Sequence, residues 1–323
     1  MNASGMYFMA DRAKLLLPND RDTSDVRPWG MGPRVPMYVI SPWSRGGWVN
    51  SQVFDHTSVG MFLETRFGID IKAISPWHRA VSGDLTSALD FASPNHASWP
   101  QLPDMSDYAT IEQRARELPK ATPPAQPEPL WQETGVRYSR ALPYELEVSA
   151  SPVNGALHLE FNNTGKQGAV FHVYDRLHLD RLPRRYTVEA GEHLDDDAWR
   201  PVVADNGQYD IEVHAPNGFF RAFKGDINRP GVQMALSHDA KAGSIVLDIS
   251  NAGADEITTE IVHNAYRNQS SPVRLAAGGK TRLSWLLEDS KYWYDLTARA
   301  PGSEQRFAGR VETGRSSISD PAA

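Results

Sequence analysis

Cysteine is missing from all 323 residues. That absence excludes disulfides, zinc–thiolate sites and thiol nucleophiles together. Long apolar runs are missing too, so the sequence predicts no membrane-spanning helix. Basic residues number 33 against 40 acidic ones, and the net charge of -7 argues against a general nucleic-acid binder. The start, Met1 to Ala10, has no basic segment and meets Asp11 before any useful apolar run. It does not read as a signal peptide, and a chain made as given would stay in the cytoplasm. There is no Walker motif, dinucleotide fingerprint, nucleophile elbow or His-Glu-x-x-His.

What is present is ordinary globular material, 40% hydrophobic and 23% charged. With 24 glycines and 23 prolines, turns and short elements are expected rather than long helices. Three textures follow one another. Residues 1–110 read as mixed structure and hold Trp29, Trp43, Trp48, Trp77 and Trp99. Residues 111–140 combine a short polar helix, Thr110 to Leu118, with a proline-rich linker from Pro119 to Pro129. Beyond 140, short alternating runs are punctuated by Asn, Gly and Pro, the pattern of antiparallel sheet.

This last part repeats itself. Gly155 to Gly165 aligns with Gly243 to Gly253, Tyr209-Asp210 with Tyr294-Asp295, and Phe223-Lys-Gly225 with Phe307-Ala-Gly309. Two copies, 141–227 and 230–312, are therefore expected, followed by a disordered tail at 313–323. In each copy apolar and polar residues alternate, as in Leu157, Leu159 and Phe161 against His158 and Glu160. The Asn-x-Gly that follows is expected to turn the chain through a positive φ. Short strands at this spacing suggest an immunoglobulin-like sandwich.

In the first region, Val35 to Ser41 reads as a buried strand, Ser44 to Trp48 as a loop, and Val59 to Phe67 as a helix stopped by Gly68. Asp84 to Phe91 suggests a further short helix. Asp55-His56 is the leading site candidate, since an imidazole beside a carboxylate serves acid–base or metal chemistry. The competing reading has Asp55, Thr57 or Ser58 capping the helix and His56 packing locally. Ser44, Arg45, Gly46 and Gly47 could cradle a phosphate, or form a plain Gly-Gly turn. His172 to Asp180 reads as exposed strand and loop, and Asp195 to Asp197 as a solvated turn.

Met31 to Ser58, Ile74-Ser-Pro-Trp77 and Val81 to Ser87 together resemble the end of the catalytic domain of bacterial phosphocholine-preferring phospholipases C. Val170 to Asp175, Arg184 to Gly191 and Phe307 to Gly314 are similar to the two tandem C-terminal domains of the same enzymes. The resemblance implies an α/β remnant of an alkaline-phosphatase-like catalytic domain, followed by two tandem sandwiches. It implies a divalent metal in full-length members, a phospholipid substrate (phosphatidylcholine or sphingomyelin), export from the cell, and no nucleic acid. The family's metal-binding Glu-Asn segment, its hydroxyl nucleophile and its Asp-rich segment would lie upstream of residue 20. The chain thus resembles the C-terminal half of such an enzyme, with Asp55 and His56 near its active-site side and an upstream half as possible partner. It is expected to hold no metal and to be inactive alone. The alternative is a non-enzymatic sandwich module binding a lipid surface, a glycan or a protein.

Overall fold

Among the described residues, fourteen strands between residues 146 and 310 fall into two series of seven. The first is β3 (Leu146–Val153), β4 (Ala156–Asn163), β5 (Ala169–Asp175), β6 (Arg184–Val188), β7 (His193–Trp199), β8 (Gln208–Ala215) and β9 (Phe219–Asp226). The second is β10 (Val232–Asp239), β11 (Ser244–Asn251), β12 (Ile257–Ala265), β13 (Ser270–Leu275), β14 (Lys280–Leu286), β15 (Trp293–Ala300) and β16 (Ser303–Arg310). Short strands β1 (Gly5–Tyr7), β2 (Tyr138–Ser139) and β17 (Ser317–Ile318) complete the set. The computed structural model describes residues 5–7, 31, 35–92, 101–126, 128, 135–199, 205–229, 232–268 and 270–322, with the side chains of 5–7 and 196–199 excepted. Trp29, Trp99 and Pro129 lie outside the described residues.

Each series makes a three-stranded sheet, β3-β4-β7 or β10-β11-β14, and a four-stranded one, β6-β5-β8-β9 or β13-β12-β15-β16. The two layers close on alternating apolar residues: Leu157, Leu159 and Phe161 in the first copy, Ile245, Leu247 and Ile249 in the second, all fully buried. The four-stranded sheets then fuse. β9 pairs antiparallel with β16, Ala222 opposite Arg306, giving one nine-stranded sheet that β1 extends beside β6.

A buried polar network crosses this junction. Arg221 on β9 is wholly buried, its guanidinium 4.1 Å over the Phe219 ring. It donates to Ala308 O at 3.0 Å and to Tyr294 Oη at 3.0 Å, both in the second copy. A guanidinium can only donate, so the Tyr294 oxygen accepts and its own proton is free for His238 Nε2 at 2.7 Å. His238 N–H in turn donates to Glu147 Oε1 on β3, at 3.0 Å. Burial, then the Arg221 charge, pushes the His238 imidazole down to about 3, so it stays neutral.

The turn after β4 works differently from expectation. Neither Gly165 nor Gly253 has a positive φ. Instead Asn163 is buried and its amide donates to Gln167 O and Val188 O, while its oxygen accepts from Gly165 N–H. Asn251 repeats the arrangement with Asp255 O, Leu275 O and Gly253 N–H. Gly165 is required for closeness, since a Cβ there would lie 2.4 Å from Pro143 O.

Helix α1 (His56–Phe67), helix α2 (Pro76–Val81) and the exposed helix α3 (Tyr108–Glu117) precede the sandwiches. The first region is held to the first sandwich by Gly168 N–H to Ala80 O (2.9 Å), Gln167 Nε2 to the same carbonyl (2.5 Å), Trp77 Nε1 to Thr187 Oγ1 (3.1 Å), and Val53 N–H to Tyr144 Oη (3.0 Å).

Four expectations are corrected. Val35 to Ile40 is not a buried strand: no partner strand flanks it among the described residues, and Val35, Tyr38 and Ile40 are 77%, 85% and 90% exposed. Asp84 to Phe91 makes only one 3-10 turn, Thr86–Ala88. The Asp84 carboxylate captures Thr86 N–H, and Leu85 takes φ 67, which a helix cannot continue through. Asp195 to Asp197 lies within β7 and pairs with β4. Acidic residues on such an edge strand discourage further pairing, which is why they read as solvated. The tail is ordered: β17 pairs with β2, Ser319 N–H donates to Arg137 O, and Tyr266 Oη donates to Asp320.

Candidate functional site

Asp55 stands at the N-cap of α1 with φ -142, outside the helix. Its Oδ1 accepts from Thr57 N–H (2.8 Å), Thr57 Oγ1–H (2.6 Å) and Ser58 N–H (3.2 Å). Ser58 Oγ returns the favour to Asp55 N–H at 3.0 Å, closing a capping box. At the far end Gly68, φ 67, donates its N–H to Glu64 O and stops the helix. This is the capping arrangement that the sequence offered as the competing reading.

The other oxygen, Asp55 Oδ2, meets an imidazole 2.5 Å away, and that imidazole is His78, not His56. His78 enters on the first turn of α2, which Ser75 caps and Pro76 opens. Trp77, beside it, packs edge-on against the His78 ring at 5.0 Å. Burial pushes the Asp55 carboxyl up, but the hydrogen bonds from Thr57 and His78 outweigh it and hold the group below its ordinary value. His56 is exposed. A second strut ties the same helices: Arg79 forks onto Glu64 at 2.7 and 2.9 Å, and its hydrogen bonds, with one from Ile71 N–H, hold that carboxyl down at about 2.

Ser44 Oγ is spent inside its own turn, donating to Val39 O at 2.7 Å and accepting from Ser41 N–H at 3.0 Å. Gly46 and Gly47 take φ 107 and 68, so the Gly-Gly pair serves the turn; Arg45 is half-buried. The loop leads into Trp48, whose ring packs tilted against Tyr138 at 5.2 Å and under Arg140 at 4.3 Å. Val49 then bonds to both Tyr138 O and Arg140 N–H, docking the loop on β2.

The structure therefore joins Asp55 to His78, leaves His56 in solvent, and ties Ser44 into a turn. His78 escaped the sequence reading because 23 residues separate it from Asp55 with no motif between. Chemically, a carboxylate-oriented imidazole can hold or pass a proton. As for a divalent metal, no group of three or more His, Asp or Glu side chains comes together among the described residues. Asp55, with four hydrogen bonds, has little left to give a cation, and the described residues do not fit a metal.

Comparison with known proteins places the chain. The family model for the bacterial phospholipase C C-terminal domain matches twice, at residues 138–226 and 232–310. The phosphoesterase family model matches residues 6–70. A non-hemolytic phospholipase C of Pseudomonas aeruginosa is 46% identical over 91% of this chain and 44% of its own length. One from Burkholderia pseudomallei is 44% identical over 91% of this chain and 43% of its own. A hemolytic phospholipase C of Pseudomonas aeruginosa is 38% identical over 93% and 46%. The chain thus spans less than half the length of these relatives. With both sandwiches matched and the phosphoesterase segment before them, the chain belongs to the bacterial phospholipase C family.

Proposed function

We propose that the whole protein is an exported phospholipase C that hydrolyses the phosphodiester of phosphatidylcholine or sphingomyelin. The observation that carries this is the 46% identity to a phospholipase C over 91% of the chain, with the phosphoesterase segment and both C-terminal domains matched by their family models. In this reading residues 1–110 are the end of an alkaline-phosphatase-like catalytic domain. The two sandwiches, with three strands facing four in the order described, are immunoglobulin-like.

The chain by itself is catalytically incomplete. Family chemistry needs a metal beside phosphorus, and that requires four or so ligands where one Asp–His pair offers two. The helix stripe Val59, Leu63 and Phe67, 48%, 38% and 64% exposed, is what an upstream catalytic half would cover. The test is phosphocholine release from a phosphatidylcholine substrate. Residues 1–323 alone, with any common divalent metal, should release none. The same chain joined behind the upstream part of the Pseudomonas aeruginosa relative should turn over. Turnover by the chain alone that is lost in His56→Ala would overturn the incompleteness, and an inactive fusion with the correct fold would count against the hydrolase reading.

A further inference from the structure

On the outer face of the nine-stranded sheet, where the second copy meets the C-terminal residues, lies a cleft of about 240 Å³. Gly218, which takes φ 68, lines it beside Trp293, where a Cβ would rest 3.4 Å from the ring. Trp293, Tyr266, Asp320, Phe220 and Arg306 are among the side chains that line it.

The charges in the cleft do not balance. Arg306 forks onto Asp295 at 2.9 and 2.6 Å, and Asn264 donates to the same carboxylate at 2.7 Å. Asp320 accepts from Tyr266 Oη at 2.6 Å and from Ala322 N–H at 2.8 Å. No Lys, Arg or His pairs with Asp320 among the described residues. One carboxylate is therefore left without a counter-cation beside the half-buried Tyr266 ring, with Trp293, 7% exposed and 5.9 Å from the Arg310 guanidinium, lining the same cleft.

Tyr266 also sits in the left-handed region, φ 68, directly after a register shift in β12 between His263 and Ala265. Burial, then the Asp320 carboxylate, pushes the phenol up, so it keeps its proton and goes on donating.

We propose that this cleft binds a trialkylammonium cation, the charged end of choline, through the rings of Tyr266 and Trp293 and the carboxylate of Asp320. Such a cation has no N–H to donate and is recognised by aromatic faces and negative charge. A sugar would instead need several free donors and acceptors, and most here are spent on one another: Asp295 on Arg306 and Asn264, Tyr266 on Asp320 Oδ1, Trp293 Nε1 on Ile318 O. The cleft is smaller than the roughly 300–1,000 Å³ of drug-sized pockets, so it suits a head group rather than an acyl chain. The proposal stands whether or not the protein hydrolyses lipid.

The test is calorimetric titration of residues 1–323 with tetramethylammonium, choline, ammonium and glucose. Saturable binding of the first two is expected, with glucose and ammonium far weaker. Asp320→Asn keeps the shape and removes the charge, and should weaken binding at least about tenfold. Tyr266→Leu should do the same, and should it fail to fold, the Asp320 variant still decides. No binding of tetramethylammonium, equal binding of glucose, or affinity unchanged in Asp320→Asn would each overturn the proposal. Flotation with phosphatidylcholine and phosphatidylglycerol vesicles separates the sources. Capture by the former alone, lost in Asp320→Asn, identifies a lipid head group. Choline binding without vesicle capture identifies the free cation.

Discussion

Tyr294→Phe removes one oxygen from the centre of the buried network and is the sharpest probe of how the two sandwiches are joined. That oxygen accepts from Arg221 at 3.0 Å and donates to His238 at 2.7 Å. A buried hydrogen bond to a charged group contributes about 1.5–3 kcal/mol, and a neutral one about 0.5–1.5. Removing both leaves a guanidinium N–H and an imidazole nitrogen without partners in a dry interior, while the ring's packing is kept. The expected loss is about 3 kcal/mol, or about 6–12 °C in Tm for a cooperative unit of this size. Urea unfolding followed by far-UV circular dichroism measures it. Because Arg221 and Tyr294 belong to different copies, a cycle with Arg221→Met should show coupling of about 1–3 kcal/mol. A loss below about 0.5 kcal/mol, or strict additivity in the cycle, would show that the network does not join the copies.

Three further outcomes are expected. His238 is held near 3 in the fold against an ordinary 6.5, so the unfolded chain takes up the proton first as pH falls. Stability contributed by this group is full above pH 6.5 and is lost towards pH 3; between pH 7 and 5 the loss is about 2 kcal/mol, and His238→Gln should flatten that part of the urea-midpoint profile. Asp55→Ala should loosen α1 by about 1 kcal/mol and His56→Ala by less than about 0.5, read from amide exchange over residues 56–67. Gly168→Ala would place a Cβ 2.6 Å from Ala80 O. After proteolysis within the exposed 118–126 segment, the N-terminal piece should stay bound to the wild-type sandwiches in gel filtration and separate from the variant; equal retention would refute the docking role.

The doubled sheet was legible because a strand's period of two survives in sequence. Leu157, Leu159 and Phe161 declare a buried face, and their counterparts 88 residues on declare it again. The joining of the copies was not legible, because Arg221 and Gln305 occupy equivalent places and neither pattern nor spacing says which one is buried beneath Tyr294. Val35 to Ile40 misled for a related reason. An apolar run signals burial only if something arrives to cover it, and the cover is not written in the run. Around Asp55, adjacency in sequence favoured His56 as its neighbour, whereas a helix cap throws neighbouring side chains apart and the carboxylate meets His78 instead. His78 became a partner only through the packing of α2 against β5.

The register of β9 against β16 has an evolutionary reading. Phe223 faces Gln305 and Arg221 faces Phe307, so the pairing maps onto itself when the copies are exchanged, with the local dyad at Ala222 and Arg306. Edge strands meeting about a dyad are how identical chains form an isologous dimer. The present chain has the geometry of such a dimer with its subunits joined in one chain, which holds them at an effective concentration that separate chains do not reach. Once the halves could no longer separate, they were free to specialise. Arginine now stands at 221 and glutamine at 305, and Arg306, opposite Ala222, lines the cleft of the second copy.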